Sequence, residues 1–200
     1  VESVLTTLEL LEKKVTYKRK VSSFNPSGSE TKWWVPTASL VEYPATDSPI
    51  DPYTVGAILG DGSIDKQCGF TRFHTHVDDA PHFLANLEGA EEGTLRSDSR
   101  RESTLRFSLK GLGQKVKSFI GVENVYGKRI PQALLWGSSS QRIAVLQGLM
   151  DTDGTLGTSG HGSFCTVSEG LANDVAWLVR SLGGEVTFGN EKGNYFRLHI

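Results

Sequence analysis

The chain has 200 residues, 38% of them hydrophobic, which is enough to bury a core without disulfides or a structural metal. A formal charge of −2 and an isoelectric point near 6.2 exclude a protein that coats nucleic acid by bulk electrostatics, though not one with a local basic face. Cys68 and Cys165, without CxxC spacing, read as two reduced, small buried thiols, and neither a bilayer-spanning apolar run nor a signal peptide is evident, so the expectation is an intracellular chain, cytoplasmic or nucleoid-associated, with no membrane contact.

Residues 1–50 are uneven: an amphipathic stretch from Leu5 to Leu11, a basic run from Lys13 to Lys20, a Ser/Gly/Asn loop, then Trp33 and Trp34 as packing residues. They read as a β-rich lead-in segment. Asp51-Pro52 then supplies an N-cap and a proline at the first helical position, and a helix runs through Val55, Ile58 and Leu59 to a stop at Gly60-Asp61-Gly62. Ser63 to Thr75 reads as a hairpin, Asp79 to Leu87 as a helix closed by Gly89, Thr94 to Leu109 as a strand pair, and Gly111 to Ile120 as a third helix.

The same grammar returns after the linker Lys128-Arg129-Ile130-Pro131. Ser138 and Gln141 form a capping box, Ile143, Val145, Leu146, Leu149 and Met150 carry an apolar face, and the helix stops at Asp153-Gly154. A hairpin from Thr155 to Thr166, a helix from Leu171 to Leu182 closed by Gly183, and a strand pair from Glu185 to Ile200 follow. The chain is thus read as an internal duplication of an α-β-β-α-β-β unit, with 51–136 as the first copy and 137–200 as the second, which lacks a final helix.

Gly56 and Gly148 each lie five residues before the terminal aspartate, where the missing Cβ lets two helix backbones approach. Packing there brings Asp61 and Asp153 side by side. Two carboxylates about 6 Å apart at an effective dielectric near 20 repel by roughly 3 kcal/mol, and each sits at the partly negative end of its helix. A divalent cation relieves that conflict, and nucleases use such carboxylates to hold metal against a scissile phosphate.

These residues carry a resemblance. Leu146-Gln147-Gly148-Leu149-Met150-Asp151-Thr152-Asp153-Gly154 matches six of the nine letters of the LAGLIDADG motif, and Thr54-Val55-Gly56-Ala57-Ile58-Leu59-Gly60-Asp61-Gly62 keeps its glycine, isoleucine, last aspartate and final glycine. The sequence resembles double-motif LAGLIDADG homing endonucleases, and the wording Val41-Glu42-Tyr43-Pro44, Pro49-Ile50-Asp51-Pro52-Tyr53 and Lys128-Arg129-Ile130-Pro131 is similar to those of inteins, over roughly Val41 to Ile200. Because the given sequence begins at Val1 and ends His199-Ile200, the resemblance implies no splicing activity.

What the resemblance implies is an α+β fold with pseudo-twofold duplicated αββαββ(α) units, motif helices at the centre and antiparallel DNA-binding sheets. It implies a monomer, requiring no protein partner, that cuts both strands of a long double-stranded DNA site to short 3′ overhangs. Asp61 and Asp153 are its metal ligands, helped by the backbone carbonyls of Gly60 and Thr152, with Mg2+ as the metal and Mn2+ or Ca2+ able to occupy the site. Asp151 is structural, and Lys110 is the catalytic basic residue, its counterpart lying near Arg197 or His199. The sheets offer Lys66, Gln67, Arg72, His74, Arg96, Arg100, Arg101, Arg106, Thr158, His161, Asn190, Lys192, Asn194, Tyr195 and Arg197 to DNA.

Other readings are weighed against these. Cleavage-inactive proteins of this kind act as RNA maturases or DNA-binding regulators. Asp151-Thr152-Asp153-Gly154-Thr155 fits the DxDGT signature of haloacid-dehalogenase-like phosphatases, but it follows a stretch with helical spacing. It begins like a calcium loop and lacks the acid and glycine required next. His74 and His76 share one strand face but have no CxxC or HExxH partner for zinc. The arginines from Arg96 to Arg106 fit a solvated hairpin balanced by Asp98 and Glu102 as well as a phosphate grip.

Overall fold

In the computed structural model residues 6–13, 16–18, 29–31, 39–92, 96–98, 101–121, 124–158, 160–189 and 193–200 are described. The chain divides into two compact units, Val1–Thr37 and Ala38–Ile200. In the first, helix α1 (Thr7–Glu12) is opened by a reciprocal cap: the Thr6 N–H donates to Glu9 Oε2 at 2.7 Å and the Glu9 N–H to Thr6 Oγ1 at 3.2 Å. Strands β1 (Thr16–Lys18) and β2 (Ser29–Thr31) pair antiparallel, Thr16 opposite Thr31. Trp33 and Trp34 lie outside the described residues.

In the second unit α2 (Pro52–Asp61) starts where its chemistry says it should, with Asp51 accepting from the Thr54 N–H at 2.9 Å and proline at the first turn. Thr54 through Gly60 are all buried, so this helix is enclosed on every side and shows no polar stripe. It leads into β3 (Ser63–Ile64), β4 (Thr71–His76), α3 (Ala80–Asn86), β5 (Arg96–Asp98) and β6 (Arg101–Leu109), with the sheet ordered β3-β4-β6-β5. On β4 burial alternates, Thr71, Phe73 and Thr75 in and Arg72, His74 and His76 out. Phe73 stacks on Phe107 directly across the ladder, ring centroids 5.8 Å apart.

The expected third helix is shorter and looser than its sequence suggests: α4 (Gly113–Lys115) widens into a π-helical turn over Val116–Ile120, closed by the Gly121 N–H donating to the Val116 carbonyl at 3.0 Å. A short helix α5 (Gln132–Leu135) then precedes α6 (Ser139–Asp153). The capping box of α6 is formed by Ser138 and Gln141 as the spacing indicates. Strands β7 (Gly154–Leu156) and β8 (Gly162–Thr166), helix α7 (Glu169–Ser181) and strands β9 (Thr187–Phe188) and β10 (Phe196–His199) repeat the first pattern, with the sheet ordered β7-β8-β10-β9. Both sheets therefore have the same antiparallel topology, and each half packs a helix on it.

Residues 39–50 belong to this larger unit. Arg142, fully buried on α6, donates Nε to the Gly137 carbonyl at 3.0 Å, Nη1 to Ser181 Oγ at 2.5 Å and Nη2 to the Val41 carbonyl, with its guanidinium 5.1 Å from the Tyr43 ring centre. Tyr43, Trp136 and Trp177 close over the segment, the two indoles 4.6 Å apart. Both cysteines are free as expected, but Cys68 is exposed because it sits in the β3–β4 turn, where its thiol meets Asp65, so the expectation of two buried thiols is corrected. Among the described residues no helix is long and apolar enough to cross a membrane.

Candidate active site

The site is built from the packing of α2 on α6. A Cβ at Gly56 would collide with the carbonyl oxygen of Val145, three residues before Gly148, and a Cβ at Gly148 would collide with that of Tyr53, three residues before Gly56. The contact is reciprocal, as a local pseudo-twofold axis requires, and glycine at both positions is what permits it. One turn further on, a Cβ at Gly60 would meet Thr152 Oγ1, and Asp153 Oδ2 lies 3.6 Å from the same point. The two helices thus end together, which brings Asp61 close enough for its charge to act on Asp153.

Electrostatics follow from that geometry. Burial, and next the Asp61 carboxylate, push Asp153 up to about 6, against the pull of Lys128. Asp61 is also raised by burial, offset by Lys128 and by His74. Burial lowers Lys128 below the usual lysine range, while the two aspartates act to keep its proton. Its ammonium donates to the carbonyls of Leu59 at 2.8 Å and Gly60 at 2.7 Å, which places a cation at the partly negative end of α2.

Lys128 is held there from the other half. Ser168, the N-cap of α7, donates its hydroxyl to the Lys128 carbonyl at 2.8 Å. The buried Asp174 on α7 takes Arg129 Nε at 2.7 Å, Arg129 Nη2 at 2.6 Å and the Ile130 N–H at 3.0 Å. The bidentate clamp fixes the linker, and with it the direction of Lys128.

The two aspartates face different surroundings. Asp153 lines a cavity of about 290 Å³ with Gly60, Lys128, Cys165, Thr166 and Tyr195. Asp61 lines another of about 350 Å³ with His74, His76, Asp79, Asp151 and Thr152. Asp151 is tied into the frame: its Oδ2 accepts from Tyr53 Oη at 2.9 Å and lies 3.1 Å from His82 Nε2.

Lys110, the basic residue expected from the family pattern, is not the amine beside the aspartates: it is ion-paired with Glu91 on the surface. Lys128, named only as part of a linker motif, is the lysine whose charge acts on both aspartates, and the quartet Lys128-Arg129-Ile130-Pro131 is the signal that could have found it. Arg72 and His74 on β4, Arg96 on β5 and Arg106 on β6 lie on one exposed sheet face. Lys66 and Gln67 lie in the β3–β4 turn, Thr158 and His161 in the β7–β8 turn, and Asn194, Tyr195 and Arg197 at β10. Arg101 begins β6, while Arg100, Asn190 and Lys192 lie outside the described residues.

Among the described residues no group of three or more His, Cys, Asp or Glu side chains is gathered for metal binding. What is present is two raised carboxylates and two helix-terminal segments, a hard oxygen set suited to a divalent ion that keeps waters or takes phosphate oxygens in its remaining positions. One lone pair of the Gly60 carbonyl is already used by Lys128.

No family model matches the sequence. The chain is 34% identical over 151 residues to the replicative DNA helicase DnaB of Mycobacterium intracellulare; the match covers 74% of this chain and 22% of that protein, so the chain spans about a fifth of its relative. Among solved structures, a variant of the homing endonuclease I-DmoI in complex with nicked target DNA and manganese superposes with a TM-score of 0.50 at 14% identity, over 75% of this chain and 87% of that one. The N-terminal LAGLIDADG domain of WhiA superposes at 0.45 and 15% identity, over 83% and 78%. The fold is α+β and is that of the LAGLIDADG homing endonucleases.

Proposed function

We propose that this chain is a double-motif, intein-associated DNA endonuclease that hydrolyses one phosphodiester in each strand of a long duplex site and leaves short 3′ overhangs. The observation that carries the reading is the convergence of Asp61 and Asp153 at the ends of two helices locked by reciprocal glycine contacts, with the Lys128 ammonium beside both. Such a pair is costly for folding alone, because each carboxylate is raised and neither has an ion-pair partner at salt-bridge distance among the described residues. One chain supplies a carboxylate for each strand, which fits a monomer acting on duplex DNA.

Asp61 and Asp153 would hold Mg2+, with Mn2+ or Ca2+ as substitutes and with the Gly60 and Thr152 carbonyls near by. When bound, the ion supplies Lewis-acid polarisation of the phosphate and a more acidic water. The Lys128 ammonium, held on the Leu59 and Gly60 carbonyls, would stabilise negative charge developing on the phosphate oxygens. The exposed faces of the two sheets lie along the groove and orient the duplex. The match of this chain to about a fifth of a replicative helicase is in keeping with an element carried within a longer protein. It also fits an intracellular location.

The test is selection of cleaved sites from a randomised duplex library with magnesium, scored for strand-specific products, beside Asp61→Asn and Asp153→Asn. Cutting of both strands by the wild type and loss in both variants is the expected result. Tight specific binding with no cutting would replace the nuclease by a DNA-binding regulator or an RNA maturase.

A further inference from the structure

Among the described residues the two sheets share topology but not charge. Aligning the ladders on their core pairs, Phe73 opposite Phe107 and Phe164 opposite Leu198, puts Ser163 where the first half has Arg72, Cys165 where it has His74, and His199 where it has Ser108. Arg197 occupies the place of Arg106 but is half-buried, whereas Arg106 is exposed. The strand position facing Arg106 is Arg96, and the residue whose N–H pairs with the Arg197 carbonyl is Gly189. The first face therefore presents Arg72, Arg96 and Arg106 with His74, and the second, among the described residues, presents one arginine and His199 amid Thr155, Ser163, Cys165 and Thr187.

The surfaces differ accordingly. A groove of about 730 Å³ on the first sheet is lined by Arg72, Arg96, Arg106, Ser108 and Lys110 together with Phe70. One of about 790 Å³ at the edge of the second is lined by Tyr126, Asn194, Tyr195 and Arg197, together with Phe188 and Phe196, which the register puts on the core side of the sheet with Leu198. Arg106 has Arg96 on one neighbouring strand and the ionisable His74 on the other.

We propose that the halves divide the work on DNA: the β3-β4-β6-β5 face supplies the sequence-independent phosphate grip and most of the salt-dependent affinity, while the β7-β8-β10-β9 face lies on the duplex through largely uncharged polar contacts. This rests on the DNA-endonuclease reading. Each phosphate contact made by a cation adds about 0.9 to the slope of log affinity against log salt, so the division is readable without knowing the target site.

The experiment is binding of a labelled random-sequence 30-base-pair duplex by the full chain in EDTA, across a KCl series, with far-UV circular dichroism confirming fold. Arg72→Gln and Arg106→Gln should each lower the slope by about 0.9, which is roughly 3.5-fold less loss of affinity between 50 and 200 mM salt. Arg197→Gln should lower it by less than half as much, and Ser163→Arg should raise it by about 0.9. Equal effects of Arg106→Gln and Arg197→Gln, or no change with Arg72→Gln or Ser163→Arg, would overturn the division while leaving DNA binding in place. Absence of any binding by the wild type would overturn the endonuclease reading and the division together.

Discussion

Asp153 is held by burial and by the Asp61 carboxylate at a proton affinity near 6, so at neutral pH the fold carries a charge that its surroundings resist. A carboxyl raised in the folded state contributes stability below its unfolded value of 3.8 that is lost as pH rises through about 6. Asp153→Asn should therefore raise the unfolding free energy at pH 7.5 without metal by about 1 kcal/mol, discounted for partial solvation, with the gain shrinking to nothing below pH 4. The same variant should lose magnesium-dependent cutting. Wild-type metal binding, followed calorimetrically, should weaken as pH falls below about 6, because the proton competes for the same oxygens. Lys128→Met should cut kcat by about 10²–10³ with duplex affinity within a few-fold of wild type; an unchanged kcat would return the basic role to Lys110.

Among elements, the packing of α2 on α6 has no slack. Gly56→Ala or Gly148→Ala drives a methyl into a backbone carbonyl of the facing helix, which has no rotamer to yield. Each should cost about 2–4 kcal/mol in chemical denaturation, and the less destabilised of the two should cut more slowly as the aspartates move apart. Arg142 ties α6 to α7 and to residue 41 with a charge fully out of water. Arg142→Ala leaves the Gly137, Ser181 and Val41 acceptors without their donor and opens a cavity, so a loss of about 3–5 kcal/mol is expected. A midpoint shift equivalent to less than 1 kcal/mol would show that water replaces the guanidinium.

For the molecule as a whole, the halves are joined at more than the glycines. Tyr53 of α2, His82 of α3 and Asp151 of α6 meet through hydrogen-bond distances of 2.9 to 3.1 Å. This network pins the end of one half to the other just beside the aspartates. Asp151→Asn should keep most cutting, lose about 1 kcal/mol of stability, and show no activity on a small phosphate ester in either form. Abolished ester hydrolysis in this variant, with activity in the wild type, would be the mark of phosphatase chemistry instead.

Periodicity, caps and the repeated Asp-Gly endings made the order of elements legible because each depends on residues a few positions apart, and the doubled sheets and the pairing of Gly56 with Gly148 were legible because the same local pattern occurs twice. Asp51 with Thr54, and Ser138 with Gln141, are local bonds and were readable as such. Lys128 was not readable as the amine of the site, since its position depends on Ser168 and Asp174 some 40 residues away. The exposure of Cys68 and the widened turn at Val116–Ile120 likewise depend on what packs around them. The sequence by itself determined which residues repeat and which carry charge. Only the tertiary structure decided which lysine acts on the two carboxylates and, among the described residues, how unequally the two sheet faces are charged, because those are distances across the fold.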